Sequence, residues 1–320
     1  MKNNSNNPLV SIVVITYNSS KYVLETLESA KAQTYQNIEL IVTDDCSTDN
    51  TVEICKQWIE ENEERFVRTE LITVEKNTGI PANCNRGVKS ASGEWLKLIA
   101  GDDTFLGDCI SNFVNYVTEN KSAKVICAIA NQYKDSFSKE NFIKQSGYSS
   151  LFYDKRITAK QQFELLLRDS IVSAPTVFLN KRVVEDMGFF NEKYILEDTY
   201  LWLKLTKNGI KIDFMDKPVV NYRKHSYSIS NNYGVYFFKY YSQLTVFYDD
   251  CVFPYLSKNY RKEWIFNYYK NAMYYRLKIK NPLIKRIIGR LNPYLYLCEQ
   301  DRKKCRKEID KSFENKIIDK

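Results

Sequence analysis

The sequence predicts an α/β protein: a doubly wound, mostly parallel sheet flanked by helices, with a helical C-terminal appendage. Three observations predict it. Leu9-Val10-Ser11-Ile12-Val13-Val14-Ile15 is a nearly unbroken β-branched run, the pattern of a central parallel strand buried on both faces. Similar runs recur at Ile38–Val42, Leu71–Val74 and Trp95–Ile99, with helical spacing between them, as in repeated βα units. Three of the runs end in polar clusters, Thr16-Tyr17-Asn18, Asp44-Asp45 and Asp102-Asp103. Ligands of such sheets bind outside the carboxyl ends of the strands, so the three clusters are expected to converge.

The elements follow in order. Ser19 or Ser20 can cap a helix that runs to about Gln33, because a hydroxyl there accepts from the first free N–H groups. The turn after Val42, Thr43-Asp44-Asp45-Cys46-Ser47-Thr48-Asp49, opens a second helix through Trp58. Asn77-Thr78-Gly79 turns into a helix around Asn83 to Ser90, and Gly93 ends it before the fourth strand. After Cys109 a helix runs to about Val117, and Val125–Ala130 is another apolar strand. Residues 131–157 are polar, aromatic and irregular; they predict a mobile loop with short strands, and a loop of that length inside a domain is usually functional or disordered. A helix is expected from Ala159 to Arg168, a short extended piece at Ala174–Phe178, and a helix near Lys181 to Met187. Glu197-Asp198 begins a helix that stops at Gly209, and Ile210–Phe214 and Val219–Arg223 read as two strands. From Tyr233 onward the pattern is helical and rich in Tyr and Phe. The boundaries that result are 1–230 for a ligand-binding catalytic domain and 231–320 for a helical, basic region.

Bulk properties narrow the classes. The 320 residues are 44% hydrophobic, with few glycines and prolines, which fits a chain that buries a core. Eight scattered cysteines show no zinc-hairpin spacing, and the start is polar with no hydrophobic segment; free thiols in a reducing cytoplasm are the expectation. No apolar run approaches the roughly 18 residues that a spanning helix needs. Residues 271–320 carry 14 Lys/Arg against 6 Asp/Glu, which accounts for the whole formal net charge of +8. A neutral body with a basic tail points to an anionic surface as the tail's partner.

Adjacent carboxylates at the mouth of a sheet repel each other. A divalent cation relieves this, since hard cations take oxygen ligands and share them with substrate phosphates; a helix cap for the segment near Gly107-Asp108 is the other reading of the pair. Rival classes find less support. No Gly-x-Gly-x-x-Gly follows the first strand, against a dinucleotide-dependent oxidoreductase. Sheet-end carboxylates repel nucleic-acid phosphates, so no nucleic acid is expected as partner. A nucleotidyltransferase of similar fold stays as the alternative enzyme, although the first loop lacks a Gly- and Lys/Arg-rich run; a non-enzymatic nucleotide- or nucleic-acid-binding protein is the alternative outside enzymes.

With the clusters placed, the sequence resembles the family 2 glycosyltransferases of GT-A fold, in particular bacterial members that build surface polysaccharides. The matching pieces are Val10–Asn18, Glu39–Asp49, Asn77-Thr78-Gly79 and Gly93–Asp103, followed by Met187-Gly188-Phe189-Phe190, Glu197-Asp198 and Tyr222-Arg223-Lys224-His225. They span about residues 8–230. The resemblance implies an inverting transfer of a sugar from a nucleotide diphosphate donor, UDP or dTDP favoured, to a hydroxyl of a glycan or lipid-linked glycan. By the same resemblance Asp45 reads the base, whose ring N–H suits an acceptor-only carboxylate. Tyr17 packs on the base beside Thr16, Asp102 touches ribose or donor sugar, and Arg223 is a phosphate partner. Asp103 and His225 hold Mg²⁺ or Mn²⁺, and Asp198 is the general base. Ala100 departs from the commonest pattern, which has another Asp there. Finally, Pro282–Leu291 places Leu283, Ile284, Ile287, Ile288 and Leu291 at helical spacing with Lys285, Arg286 and Arg290 between them, and Tyr294 and Tyr296 beyond. That is a basic amphipathic helix suited to anionic headgroups, so 282–297 is expected at the inner face of the cell membrane, the protein being cytoplasmic and peripheral. A helix packed on the catalytic domain is the alternative reading.

Overall fold

The structure, a computed structural model, describes residues 7–146, 149–169, 171–226, 241–264, 279 and 281–291. The chain divides into two compact units, Met1–Tyr153 with Thr158–Ser226, and Asp154–Ile157 with Tyr227–Lys320.

The first unit is built on a mixed sheet. Its centre is β1 (Val10–Thr16), paired in parallel with β2 (Ile38–Asp44) on one side and β4 (Trp95–Ala100) on the other. β3 (Arg68–Ile72) extends the parallel set beyond β2. The order across the sheet is β3-β2-β1-β4-β8-β6-β9-β5, where β5 is Thr104–Phe105, β6 Val125–Lys134, β8 Phe178–Asn180 and β9 Ile212–Lys224; β7 (Phe142–Ser146) folds back on β6. The pairs β4·β8, β8·β6 and β5·β9 are antiparallel, and β6·β9 is parallel. The β-branched runs are buried on both faces, as a sheet covered by helices requires: Val10, Ile12, Val13, Val14, Leu40, Ile41 and Val42 have no exposed surface.

The helices of this unit are α1 (Val23–Lys31), α2 (Thr51–Asn62), α3 (Ile80–Ser90), α4 (Cys109–Glu119), α5 (Ala159–Leu166), α6 (Lys181–Asp186) and α7 (Glu197–Lys207). α3 starts three residues earlier than the sequence pattern suggested. Gly79 adopts φ 91° before it and Pro81 lies in its first turn, where proline's missing N–H costs nothing. In the second unit, α8 (Tyr241–Cys251) and α9 (Pro282–Leu291) are helical. The rest of the pattern from Tyr233 onward, and Tyr294 and Tyr296, lie outside the described residues.

Three more local expectations change. The third strand begins at Arg68 and ends at Ile72: Arg68 is drawn in by Glu39 and Glu70, and residues 73–74 belong to the turn toward Asn77. The two strands expected at 210–214 and 219–223 are one strand, β9. Asp216-Lys217-Pro218 lies between them, and the register shift at Ile129 and Ala130 absorbs the proline, as a bulge does. The segment after Ala130 is less irregular than expected, since β6 runs on to Lys134 and β7 pairs with it.

Candidate functional site

The parallel strands end level. Thr16 is opposite Asp44, and Ile15 is opposite both Thr43 and Ala100. The polar residues beyond these ends therefore share one edge of the sheet. Gly101 allows the approach, because a Cβ there would meet Thr16 and Ser19 at 3.0–3.1 Å.

The first two clusters hold each other. Thr16 is buried and donates its hydroxyl to Asp44 at 2.8 Å. Asp44 also accepts from the Ser47 N–H and hydroxyl, which closes the turn after β2. Tyr17 is half exposed, so its ring presents a free face at this edge. Asp45 is buried and takes four donors: the Thr78 N–H, the Thr78 hydroxyl, the Gly79 N–H and the Arg86 guanidinium at 2.7 Å. Those hydrogen bonds hold its carboxyl below the usual range despite the opposing effect of burial. A carboxylate offers about four lone-pair sites, so Asp45 is filled from within the chain. It fixes the 77–79 turn and Arg86 beside the first strand ends. Arg86, which the sequence placed on the donor side without choosing it as a site residue, also donates to Asn83 three residues before it on α3.

The third cluster splits into two environments. Asp103 is buried, and one of its oxygens accepts the Arg223 backbone N–H at 2.8 Å. Burial first, and the charge of Asp102 second, push its carboxyl well above the usual range. Asp102 keeps 29% side-chain exposure and lies 2.9 Å from Nε2 of His225. The ring of Tyr22 packs against His225 with centroids 4.9 Å apart. Of the two adjacent carboxylates, Asp102 is the one that faces outward, with the histidine beside it.

Arg223 ties the region together from beneath. It is 2% exposed. Its Nε donates to the Asp102 carbonyl, one terminal nitrogen to the Asp135 carbonyl and the other to Glu25. Its guanidinium is sandwiched between Tyr22 at 4.3 Å and Phe137 at 4.0 Å, a desolvated cation–π arrangement. The guanidinium donors point into the protein. Lys97 of β4, another fully buried cation, donates to the Pro175 carbonyl at 2.5 Å, and burial pulls it down to about 8.

Glu197 and Asp198 open α7. Asp198 accepts from the Thr199 N–H at 2.6 Å and the Thr199 hydroxyl at 3.2 Å through the same oxygen. Burial raises its carboxyl, and burial together with the charge of Asp198 raises Glu197 to about 8. Both carboxyls act on Cys84 of α3, pushing its buried thiol up further. α3 is thus flanked by Asp45 at its start and by the acidic pair along its length.

A cation fits the outward pair. Asp102 and His225 supply an oxygen and a nitrogen ligand at hydrogen-bond separation. Among the described residues no three His, Cys, Asp or Glu side chains form a ready cage. Cys46, Cys55, Cys84, Cys109 and Cys127 are free thiols.

The chain is similar to known proteins. Curated relatives include the putative teichuronic acid biosynthesis glycosyltransferase TuaG of Bacillus subtilis, 26% identical over 70% of this chain and 82% of its own length. The Escherichia coli UDP-Glc:alpha-D-GlcNAc-diphosphoundecaprenol beta-1,3-glucosyltransferase WfaP is 28% identical over 70% of this chain and 80% of its own. Among solved structures, S. aureus TarS 1-349 in complex with UDP-GlcNAc superposes with a TM-score of 0.54 at 23% identity, covering 69% of this chain and 60% of that one; it shares the fold. The Glycosyl transferase family 2 profile matches residues 11–188, more than half of the sequence. The chain belongs to glycosyl transferase family 2.

Proposed function

We propose that this enzyme moves a sugar from a UDP or dTDP donor to a hydroxyl of a glycan or lipid-linked glycan, with inversion at the anomeric carbon. The observation that carries the mechanism is the half-buried Glu197–Asp198 pair that opens α7, with one Asp198 oxygen held by Thr199 and its carboxyl raised by burial. A raised carboxylate is a stronger base, and Glu197, raised to about 8, holds its proton longer than an ordinary carboxyl beside it. One Asp198 oxygen is held by Thr199; the other takes the proton of the acceptor hydroxyl. As that proton leaves, the acceptor oxygen bonds to the anomeric carbon from the face opposite the nucleotide. The bond to the diphosphate oxygen breaks, and the nucleotide diphosphate departs with its electron pair.

The donor side follows from the same edge. Tyr17 offers its face to the base, and Asp45 acts by ordering Thr78, Gly79 and Arg86, which form the polar wall around it. Asp102 and His225 are the residues that would hold Mg²⁺ or Mn²⁺, and the ion would supply positive charge against the departing diphosphate. Asp103 supports Asp102 from within, and Arg223 fixes both instead of reaching the phosphates. The names of the relatives support a polysaccharide acceptor, and that of WfaP supports a UDP donor and a lipid-linked one. A lipid-linked acceptor suits α9, where Leu283, Ile284 and Ile287 are exposed beside basic residues, so that helix docks on an anionic membrane face. Among the described residues no helix is long and apolar enough to cross a membrane.

The test is Asp198→Asn. Transfer to acceptor is lost while donor affinity stays within about twofold, since the side chain keeps its size and touches only the acceptor proton. Preserved transfer removes Asp198 as the base.

A further inference from the structure

The family fold leaves a cleft on the flank of α3 and α7 without a role. Its volume is about 360 Å³, and its walls include Asn85, Lys89, Phe189, Glu192, Tyr200 and Lys204. We infer that this cleft is a saccharide subsite, and that the ring it takes carries an anionic substituent, a carboxylate or a phosphate. The inference rests on the glycosyl-transfer reading for its meaning: the occupant is a unit of the acceptor glycan remote from the reacting hydroxyl.

Four observations converge. First, the floor is preformed. Buried Asn85 donates to the Phe190 carbonyl at 2.9 Å and to Glu192 at 2.8 Å, and accepts the Phe190 N–H at 3.0 Å. One amide therefore pins the 190–192 turn at several points, so little ordering is left for a ligand to supply. Second, Phe189 is held at φ 63° directly after Gly188 at φ 73°. A bulky residue in the left-handed region is strained, and such strain persists where the surroundings impose it and gathers at functional positions. It aims a half-buried ring into the cleft. Third, the polar and aromatic groups are those that bind sugars: two aromatic faces, Phe189 and Tyr200, for the C–H side of a pyranose, and amide and carboxylate groups for its hydroxyls. Fourth, the cations outnumber the carboxylate on the walls. The Lys89 ammonium lies 5.2 Å above Phe189, and that of Lys204 5.9 Å from Tyr200 while donating to the Met187 carbonyl. An ammonium beside an aromatic platform is placed for the charged substituent of a ring stacked on it.

The position agrees with an acceptor route. Glu197, Tyr200 and Lys204 are three and seven residues apart on α7, so they share one face of the helix. Lys204 is six residues beyond Asp198, about 9 Å along the axis. A short oligosaccharide spans that distance.

The experiment is saturation-transfer NMR on the full chain with D-glucuronate, D-glucose 6-phosphate and D-glucose, each titrated in separate samples, with UDP and Mg²⁺ as an independent probe of the donor side. At least one anionic sugar is expected to bind about tenfold tighter than glucose, and comparison of the two anions assigns carboxylate or phosphate. Lys89→Gln is expected to remove that tenfold preference and Lys89→Arg to restore most of it, with UDP binding unchanged in both. Phe189→Gly relieves the positive φ, so it is expected to fold, and to lose the sugar signal. Equal binding of glucose and both anions overturns the inference, as does an unchanged preference in Lys89→Gln. Loss of UDP binding in the wild-type protein with the anionic sugar still bound counts against the donor reading and leaves the cleft standing.

Discussion

Arg223→Met is expected to cost about 3 kcal/mol of folding stability, and the figure can be built from the contacts. The guanidinium makes three hydrogen bonds. The one to Glu25 involves a carboxylate whose side chain is 51% exposed, so water replaces the arginine there and the loss is small. The other two go to the carbonyls of Asp102 and Asp135 at 2.8 and 2.6 Å. A buried acceptor left without a donor costs about 1–3 kcal/mol, giving about 2–6 for the pair. The lost contacts with Tyr22 and Phe137 add to this, and relief from burying a cation subtracts; the net is about 3. The Arg223 backbone N–H to Asp103 survives the substitution, so the loss reports the side chain alone. Urea unfolding of the variant against the parent reads the difference, with a fall in melting temperature of about 6–12 °C for a unit of this size. The account also expects the nucleotide-diphosphate affinity to fall in the variant, because Asp102 loses its anchor. A stability change below about 1 kcal/mol, or a more stable variant, refutes the reasoning that Arg223 clamps the site.

Four further outcomes are expected. Glu197→Gln should leave the acidic limb of the rate–pH profile in place, because Glu197 is protonated while Asp198 loses its proton, and should remove any change in rate near pH 8, where Glu197 itself ionises; a limb that moves would show Glu197 to be charged beside Asp198. The same variant should lose less stability between pH 5 and 9 than the parent. Glu197 is raised to about 8, so its contribution is fully present below its ordinary value and is lost as pH rises through about 8. Asp102→Ala should abolish any dependence of nucleotide-diphosphate binding on Mn²⁺, whereas Asp103→Asn, at a buried position, should retain part of it; calorimetry with the reverse ranking would restore Asp103 as the ligand. The full chain should bind vesicles containing anionic lipid and release them in high salt, and Ile284→Asp with Ile287→Asp should prevent binding; equal binding to neutral vesicles would show that charge has no part.

Much of the fold was legible because its signals are local. β-branched runs mark the buried parallel strands, and the polar residues that stop them mark one edge. What the sequence hid depends on distant partners. Arg223 looked like a phosphate ligand beside His225, but its side chain is held by Asp135 and Glu25, 88 and 198 residues away in the chain. Asp45 read as a group open to a base, yet Thr78 and Arg86 come back across the sheet edge to fill it. Asp103 read as the metal ligand and Asp102 as its donor-side neighbour; the pairing of β5 with β9 buries Asp103 and leaves Asp102 partly exposed beside His225. The two strands read at 210–214 and 219–223 are one, because the register shift opposite Pro218 carries the ladder past the proline.

The measurement that bears most directly on the central claim is a thermal-shift comparison of UDP, dTDP, GDP and ADP with and without Mn²⁺. A ligand at about a hundred times its dissociation constant adds about 2.7 kcal/mol, or about 5–10 °C at about 2–4 °C per kcal/mol. The account expects a shift of that order for UDP or dTDP with Mn²⁺ and a much smaller one for the purine nucleotides. No shift with any of the four, or equal shifts with all of them, would contradict it.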